Sequence, residues 1–312
     1  MRETEEAMAE RTFDLIVIGE GITGLTAANR AARRGRTVAS CEAELFGGLV
    51  INVNELEGSP VAEHASGVEL ASSLMQENAG LGVSSINERV VGIDADGAAL
   101  KVRTEAAAIT ARAVIVASGA RLRRLGIPGE AEFDHRGVSQ CADCDGPMFQ
   151  GEEVVVVGGG DSALQEALVL ARFCRKVHLV HRGARFRARP HLVEQVSASD
   201  RITVHWSTVA EAITGSQGVE KVRVSRTIDG AKAEITCTGF FAYVGLAPNS
   251  GFLPRDIARD ANGAVATGES LQTALPGVWA AGAVRSGYSG LLTDAVKEAE
   301  LAVTGALKRI NS

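Results

Sequence analysis

The sequence predicts an α/β fold made of two similar β-turn-α-β units, and three observations support it. An apolar run, Asp14–Ile18, leads directly into the glycine loop GEGITG, and a second run, Glu152–Val157, leads into GGGDSA. A helical pattern and a further apolar run follow each loop, and such a repeat is a signal at the level of the fold. Glycine is abundant, at 35 of 312 residues, and aromatic residues make up only 4%, which favours tight strand-to-helix turns over a β-sandwich.

The first unit has the spacing of a dinucleotide-binding turn. Gly19, Gly21 and Gly24 stand between a strand and a helix, where they let a pyrophosphate approach the N–H groups at the helix start. The second strand of the unit ends next to Glu42, which is placed to accept hydrogen bonds from a ribose. A glycine-rich turn without a ligand is the alternative. Glu20 stands inside the loop, and we predict that its side chain points to solvent and not toward the pyrophosphate.

The second unit closes with basic residues instead of an acidic one. Its loop ends in Ala163, which is a tolerated form of the fingerprint. His181 and Arg182 follow its second strand, with Arg185 and Arg187 close behind. Guanidinium groups at this point match a ribose 2′-phosphate, so the sequence favours NADPH over NADH. A solvated basic loop is the alternative.

The third motif is a CxxC sequence, formed by Cys141 and Cys144 and followed directly by Asp145. One thiolate of such a pair attacks a disulfide and the other resolves the mixed disulfide, while Asp145 can give or take a proton. A zinc site needs four nitrogen or sulfur ligands and no second CxxC is present, so we predict a redox pair and no metal. His135 is a weaker candidate base and fits better as an exposed loop residue. The other cysteines are predicted to be buried: Cys41, Cys174 and Cys237.

Length, charge and composition limit the possible functions. At roughly 150 residues per domain, the length suggests two domains. The formal net charge is −6 and no basic stripe is present, which argues against a nucleic-acid partner. The apolar runs fall short of the ~20 residues that span a bilayer, and the acidic N-terminal sequence lacks the apolar segment of a signal peptide. We therefore expect a cytoplasmic protein without a membrane partner, in which a CxxC is redox-active or metal-binding.

Together these motifs resemble the low-molecular-weight thioredoxin reductase family over nearly the whole chain. The order is GEGITG, Glu42, Gly47-Gly48, ASGA, GIPGE, GVSQCADCDG, VVVVGGGDSALQEAL, HRGARFRA, APN and PGVWAAG. The resemblance implies FAD on the first unit, NADPH on the second, and a homodimer. It also implies that electrons pass through FAD to the Cys141–Cys144 disulfide and on to a thioredoxin-like protein or a small disulfide. Cys144 would face the flavin and Cys141 would attack the partner.

The resemblance further implies domain boundaries and contact residues. An NADPH domain, residues 123–245, carries the CxxC and is inserted into a discontinuous FAD domain, residues 1–122 and 246–312. The NADPH contacts it implies are Gly158, Gly160, Asp161, Ser162, Ala163, His181, Arg182 and Arg187. The FAD contacts it implies are Gly19, Gly21, Ile22, Thr23, Gly24, Glu42, Gly47, Gly48, Asn54, Val90, Ala117, Gly119, Gly282, Ala283, Leu291 and Leu292.

Several positions depart from the family pattern. Ala283 aligns with an Asp that holds the FAD ribityl chain in the family, and Leu49 and Leu291 align with glutamines. Gly58 aligns with an asparagine, and Gly183 with one of two adjacent arginines. Each lost hydrogen bond to a bound ligand is worth on the order of 1 kcal/mol. We therefore expect a diverged member, with two alternative functions: a flavin-dependent dithiol oxidase that uses oxygen, or a weakened homologue that senses redox state or binds nucleotide.

Overall fold

The computed structural model describes residues 11–53, 56, 66–97 and 99–312, and the chain divides into two compact units. The first unit contains the chain up to Arg121 and again from Ala247 onward, and the second unit is Leu122–Leu246. The boundaries predicted from the sequence lie at 122/123 and 245/246. The binding of one cofactor to each unit stays a prediction.

Seventeen strands and six α-helices are present in the described residues. In chain order the strands are β1 (Thr12–Ile18), β2 (Val38–Cys41), β3 (Ser84–Ile86), β4 (Val90–Asp96), β5 (Ala99–Thr104), β6 (Ala108–Val116), β7 (Ala120–Leu122), β8 (Val138–Ser139), β9 (Glu153–Gly158), β10 (Lys176–Val180), β11 (Ile202–His205), β12 (Thr208–Thr214), β13 (Lys221–Arg226), β14 (Lys232–Thr236), β15 (Gly239–Tyr243), β16 (Leu246–Pro248) and β17 (Val278–Ala280). The helices are α1 (Ile22–Ala32), α2 (Gly67–Gly80), α3 (Ala142–Asp145), α4 (Asp161–Phe173), α5 (Pro190–Ala198) and α6 (Leu292–Asn311).

The first unit is built on a seven-stranded mixed sheet. Strands β3, β2, β1 and β6 lie side by side in that order and run parallel. The end of β6 pairs in parallel with β17, whereas its beginning pairs antiparallel with β5, which in turn pairs with β4. Strand β1 is buried on both faces: Leu15 and Val17 pack in the cluster formed with α1 and α6, and Ile16 packs on the other face. Burial on both faces is why the strand reads as one continuous apolar run.

The second unit is built on a five-stranded parallel sheet in the order β11, β10, β9, β15, β8. A three-stranded antiparallel sheet, β12 to β14, belongs to the same unit. Along β9, Val154 and Val156 pack in the cluster formed with α4, and Val155 and Val157 pack in the cluster formed with β12 to β14.

Both β-turn-α-β units predicted from the sequence are present, as β1-α1-β2 and β9-α4-β10, and the α/β fold class is confirmed. The last helix of the chain is α6. Within the described ranges, no helix combines the length and apolar character needed to span a bilayer.

Candidate active site

The first glycine loop joins β1 to α1 through a turn that needs glycine at two positions. Gly19 has a φ of +104°, which lies in the region that favours glycine. A side chain at Gly24 would place its Cβ 1.8 Å from the carbonyl oxygen of Gly19, so the first turn of α1 can lie directly against the loop. Gly21 precedes the helix and offers no side chain to its first N–H groups. Such a helix start is a binding site for an anion such as a pyrophosphate.

Glu20 is buried, so the prediction that its side chain points to solvent was wrong. The residue is only 1% exposed. Its Oε1 accepts hydrogen bonds from the hydroxyls of Ser40 in β2 and Ser85 in β3, the latter at 2.7 Å. These two donors offset part of the cost of removing a carboxylate from water. The side chain is therefore directed toward the neighbouring strands.

Glu42 and a glycine pair lie beside this loop. Glu42 accepts the N–H of Glu20 at 2.8 Å and the N–H groups of the two residues that follow it, at 2.8 and 3.1 Å. Because a carboxylate has about four acceptor positions, Glu42 keeps capacity for a ribose hydroxyl. Gly47 donates its N–H to the carbonyl of Glu20 at 2.6 Å and forms a bridge with Gly21, so the pair Gly47-Gly48 lies against the loop.

The segment after β17 approaches the start of α1. Gly282 has a φ of +76°, and a Cβ there would lie 2.4 Å from Oγ1 of Thr23. Glu298 of α6 holds this segment, because its carboxylate accepts the N–H of Gly282 at 2.8 Å and forms an ion pair with Arg285. Ala283 is half-buried beside it and contributes no polar side-chain group.

The end of β6 borders the same loop. A Cβ at Gly19 would lie 2.4 Å from the carbonyl oxygen of Ala117, and Gly119 follows with a φ of +64° and accepts the N–H of Asn249 at 3.0 Å. One end of the sheet thus brings together most of the predicted FAD contacts, namely Gly19, Gly21, Ile22, Thr23, Gly24, Glu42, Gly47, Gly48, Ala117, Gly282 and Ala283.

Other predicted FAD contacts have different surroundings. Val90 is buried in the core of the first unit. Leu291 is 43% exposed and directly precedes α6, and Leu292 packs against a cluster that includes Ile22. Asn54 lies outside the described residues.

The second glycine loop joins β9 to α4. A Cβ at Gly158 would lie 2.5 Å from Cβ of Ala163 and 2.5 Å from a carbonyl oxygen of β15, so the loop and the helix are in close contact. Gly160 precedes α4 without a side-chain hydrogen bond to the helix start, which again leaves N–H groups for an anion.

The first turn of α4 carries two of the predicted NADPH contacts. Ser162 is exposed. Asp161 accepts the N–H of Arg189 at 2.8 Å and pairs with its guanidinium at 2.7 Å. Asp161 therefore fixes the arginine-containing segment that follows β10.

His181 was predicted to contact NADPH, but its ring is buried beneath the loop. The residue is 7% exposed, and its Nε2 lies 2.9 Å from the carbonyl oxygen of Arg185. A Cβ at Gly159 would lie 2.2 Å from two atoms of this ring, so His181 supports the loop from below. Arg182 and Arg187 are exposed, and the N–H of Arg187 donates to the carbonyl of Gly159 at 2.8 Å. The basic side chains therefore start beside the loop.

Cys141 and Cys144 form a disulfide, with their Cα atoms 5.3 Å apart. Cys141 precedes α3, and its sulfur accepts the N–H of Cys144 at 3.1 Å. Cys144 is exposed and Cys141 is half-buried. An N–H donor directed at the sulfur favours the thiolate of Cys141 once the disulfide is reduced, and the thiolate is the form that attacks a disulfide.

Asp145 is linked to the cysteine turn through a serine. The carboxylate accepts the hydroxyl of Ser139, and the oxygen of Ser139 accepts the N–H of Cys141 at 3.2 Å. This arrangement fixes a carboxylate beside the cysteines, as a proton-transfer role requires.

Glu166 lies below the cysteine turn and was missed in the sequence analysis. Its Oε2 accepts the N–H of Ala142 at 3.1 Å and the hydroxyl of Tyr243 at 3.2 Å. Its position in the sequence could have drawn attention to it. Glu166 follows Ala163 by three residues and precedes Leu170 by four, so it is an acidic residue on the buried face of α4.

The three remaining cysteines are free and buried, as predicted. Burial raises the pKa of Cys41 and of Cys237 to about 12, and that of Cys174 to about 11. His135 is exposed, which agrees with its assignment as a loop residue. In the part of the chain that the structure describes, no group of three or more His, Cys, Asp or Glu residues could hold a metal ion.

Comparison with known proteins shows the class of enzyme to which the chain belongs. A family model described as pyridine nucleotide-disulphide oxidoreductase matches residues 13–299, so the chain belongs to that class. A thioredoxin reductase from Treponema pallidum is 35% identical over 304 residues, which cover 97% of this chain and 99% of the relative. The thioredoxin reductase structure from Lactococcus lactis covers 96% of this chain and 99% of its own, with a TM-score of 0.91 and 35% identity. That from T. acidophilum covers 97% and 100%, with a TM-score of 0.89 and 28% identity. Within its class, the chain is a member of the low-molecular-weight thioredoxin reductase family, which confirms the predicted resemblance.

The family also establishes the reaction type. Its members are NADPH-dependent disulfide oxidoreductases that use FAD, and the chain is an enzyme of this kind. The described residues fit both cofactors, because each glycine loop leads into a helix start that no side chain caps. The predicted cofactors and enzyme class are confirmed.

Proposed function

We propose that the chain reduces the disulfide of a thioredoxin-like protein, with FAD held by the first unit and NADPH by the second. The close relatives named as thioredoxin reductases support this partner. The observation that carries the proposal is the Cys141–Cys144 disulfide, which lies at the start of a short helix beside Asp145. A small-molecule disulfide is the alternative substrate, and substrate assays below separate the two.

The assignment of cofactors to units follows from the side chains that close each loop. The carboxylate of Glu42 suits the ribose hydroxyls of FAD, since it can accept hydrogen bonds and repels a phosphate. Arg182 and Arg187 are exposed beside the second loop and suit the 2′-phosphate of NADPH. We further propose that Ser162, in the first turn of α4, contacts the pyrophosphate.

The cysteines carry the disulfide chemistry. FAD, when held by the first unit, would supply a two-electron carrier between NADPH and the cysteines. With one proton, those electrons convert the Cys141–Cys144 disulfide into a thiolate and a thiol. The Cys141 thiolate then attacks one sulfur of the partner disulfide, which forms a mixed disulfide and releases the other partner sulfur as a thiolate. Cys144, after Asp145 takes its proton, attacks the Cys141 sulfur and releases the reduced partner.

The surface next to the cysteines suits a protein partner. Pro147 and Met148 follow Asp145 closely and both are exposed, Met148 to 79%. An exposed thioether adapts to an apolar partner surface. We propose that Met148 contacts the partner. A homodimer in solution and a cytoplasmic location are further proposals that follow from the family.

Spectroscopy of the purified protein tests the proposal. We expect a yellow protein whose flavin bleaches on a catalytic timescale when NADPH is added without oxygen. Cys144→Ser should keep flavin reduction by NADPH, abolish reduction of a thioredoxin, and trap a mixed disulfide through Cys141. Met148→Ser should raise KM for a thioredoxin and leave the reduction of a small aromatic disulfide unchanged.

Other outcomes point to the alternative functions. A protein that stays colourless after incubation with FAD would contradict the proposed flavoenzyme function and would favour the alternative of a redox sensor. A flavin that dithiols reduce but NADPH does not would indicate a dithiol oxidase.

A further inference from the structure

Glu166 connects three elements of the second unit beneath the cysteine turn. Its carboxylate accepts the N–H of Ala142, the first residue of α3, and the hydroxyl of Tyr243 at the end of β15. Ala142 is fully buried and Tyr243 is 7% exposed. Burial raises the pKa of Glu166 and the charge of Asp143 adds to that shift, whereas the two hydrogen bonds favour the ionised carboxylate.

The N–H groups of the cysteine turn have different acceptors. The N–H of Cys144 points at the Cys141 sulfur at 3.1 Å, and the N–H of Asp145 donates to the Cys141 carbonyl at 3.1 Å. The N–H of Ala142 donates to Glu166. A thiolate at Cys141 is stabilised by N–H donors and by positive potential. Glu166 uses one donor of this turn and places a carboxylate beside it, and both effects oppose the thiolate.

The contact between α3 and α4 holds this arrangement in place. Gly146 directly follows α3, and a Cβ at this position would lie 3.0 Å from the ring of Phe173 in α4. A glycine there lets the cysteine turn approach α4 closely enough for Ala142 to reach Glu166.

We infer that Glu166 is a positioning residue that shifts the Cys141–Cys144 pair toward its disulfide form, which makes the reduced pair a stronger donor of electrons to the partner. Reduction adds two electrons and one proton, breaks the S–S bond, and leaves a thiolate at Cys141. Since Glu166 makes that thiolate less stable, the pair keeps a lower reduction potential. The inference rests on the proposed redox role of the pair.

The test is the equilibrium of the holoenzyme with a dithiothreitol redox buffer. After quenching and unfolding, alkylation counts thiols by mass, because the reduced chain carries five and the oxidised chain three. We expect Glu166→Gln, which keeps an acceptor for Ala142 but removes the charge, to shift the equilibrium at least threefold toward the dithiol. The alkylation rate of Cys141 should also show a lower thiol pKa. Tyr243→Phe removes a hydrogen bond that lowers the pKa of Glu166. The carboxyl then carries less charge, so the equilibrium should shift in the same direction by a smaller factor.

Gln165→Glu is the matched control, since Gln165 is the exposed neighbour of Glu166 on α4. It adds a carboxylate without a contact to Ala142 and should leave the equilibrium unchanged. Equal equilibria for the wild type, Glu166→Gln and Tyr243→Phe would overturn the inference. If NADPH fails to reduce the wild-type pair, the proposed function fails instead, and the buffer equilibrium still measures the effect of Glu166.

Discussion

The two glycine loops differ at their second position. In the first loop this residue is Glu20, whose side chain turns beneath the loop to the hydroxyls of Ser40 and Ser85. In the second loop it is Gly159, and the ring of His181 occupies the space that a side chain would need. In each unit one side chain lies under the loop, but it comes from the loop in one case and from the end of a strand in the other.

The two loops also differ in the charge of the residues beside them. With Glu20 inside the first loop, Glu42 stands at the end of β2 and gives the loop an acidic edge. With His181 inside the second loop, Arg182 and Arg187 are exposed and give a basic edge. The two loops therefore differ in the charge of their exposed edge. The first three predictions below test what each loop and its edge contribute to cofactor binding, and the fourth concerns the histidines of the second unit.

The largest effect is expected at Gly24. Gly24→Ala should abolish FAD binding, because its Cβ would lie 1.8 Å from the backbone oxygen of Gly19 and α1 would have to move. The ratio of flavin to protein absorbance measures this loss. Ala163 holds the corresponding position in the second loop, so Ala163→Gly serves as the control and should keep its full FAD content. Normal FAD content in Gly24→Ala would contradict the tight contact between loop and helix.

The next effect is expected at Gly159. Gly159→Ala should raise KM for NADPH by roughly tenfold or more, equivalent to about 1.4 kcal/mol, because the methyl group collides with His181. FAD content should not change. The double variant Gly159→Ala, His181→Ala should recover part of the affinity, since it removes the ring that the methyl group meets. If the double variant binds NADPH no better than the single one, the two residues are not coupled.

A smaller effect is expected at the basic edge. Arg187→Gln should raise KM for NADPH several-fold and leave KM for NADH unchanged, because only NADPH carries the 2′-phosphate that a guanidinium binds. Arg223 lies on β13, outside the arginine segment, and Arg223→Gln is the control. An equal loss for both nucleotides would place Arg187 elsewhere in the site.

The smallest effect concerns pH. The described histidines all lie in the second unit, and His178 lies 3.0 Å from His205 and 2.9 Å from Glu153 between their side-chain atoms. Burial, with the charge of His178, lowers the pKa of His205. The unfolded chain therefore binds more protons, so stability is highest above the unfolded pKa of about 6.5 and falls as the pH drops below it.

Thermal unfolding between pH 7 and pH 5 checks this sign. The second unit should lose a few degrees of Tm, and His205→Gln should reduce the loss. His191→Gln changes an exposed histidine and should leave the pH profile as it is. A profile of the wild type that is flat between these pH values would contradict the assignment.

Local spacing predicted most of the architecture. The strand-loop-helix order around Gly19 and Gly158 depends on contacts within about 25 residues, and so does the CxxC. Both therefore appear in the sequence as continuous patterns. The burial of the three isolated cysteines was also predicted, since each lies in or beside an apolar run.

Contacts between distant residues could not be predicted in the same way. The burial of Glu20 depends on Ser85, which lies 65 residues further along the chain. The role of Glu166 depends on Tyr243, which is 77 residues away. The position of Glu20 in the loop was noticed in the sequence, but its burial could not be predicted before Ser40 and Ser85 were known as its partners. A lone acidic residue in an amphipathic helix is usually solvated, so the role of Glu166 was missed.

The three cysteines outside the active pair are buried, and this burial limits which thiols of the enzyme can react. An enzyme that exchanges disulfides has a reactive sulfur that can attack any accessible cysteine, including those of its own chain. Because Cys41, Cys174 and Cys237 are buried and stay protonated, exchange cannot spread from the active pair into the rest of the chain. The fold thereby keeps the three other thiols out of the exchange reaction. A probe that reacts with accessible thiols after mild reduction should therefore label Cys141 and Cys144 alone.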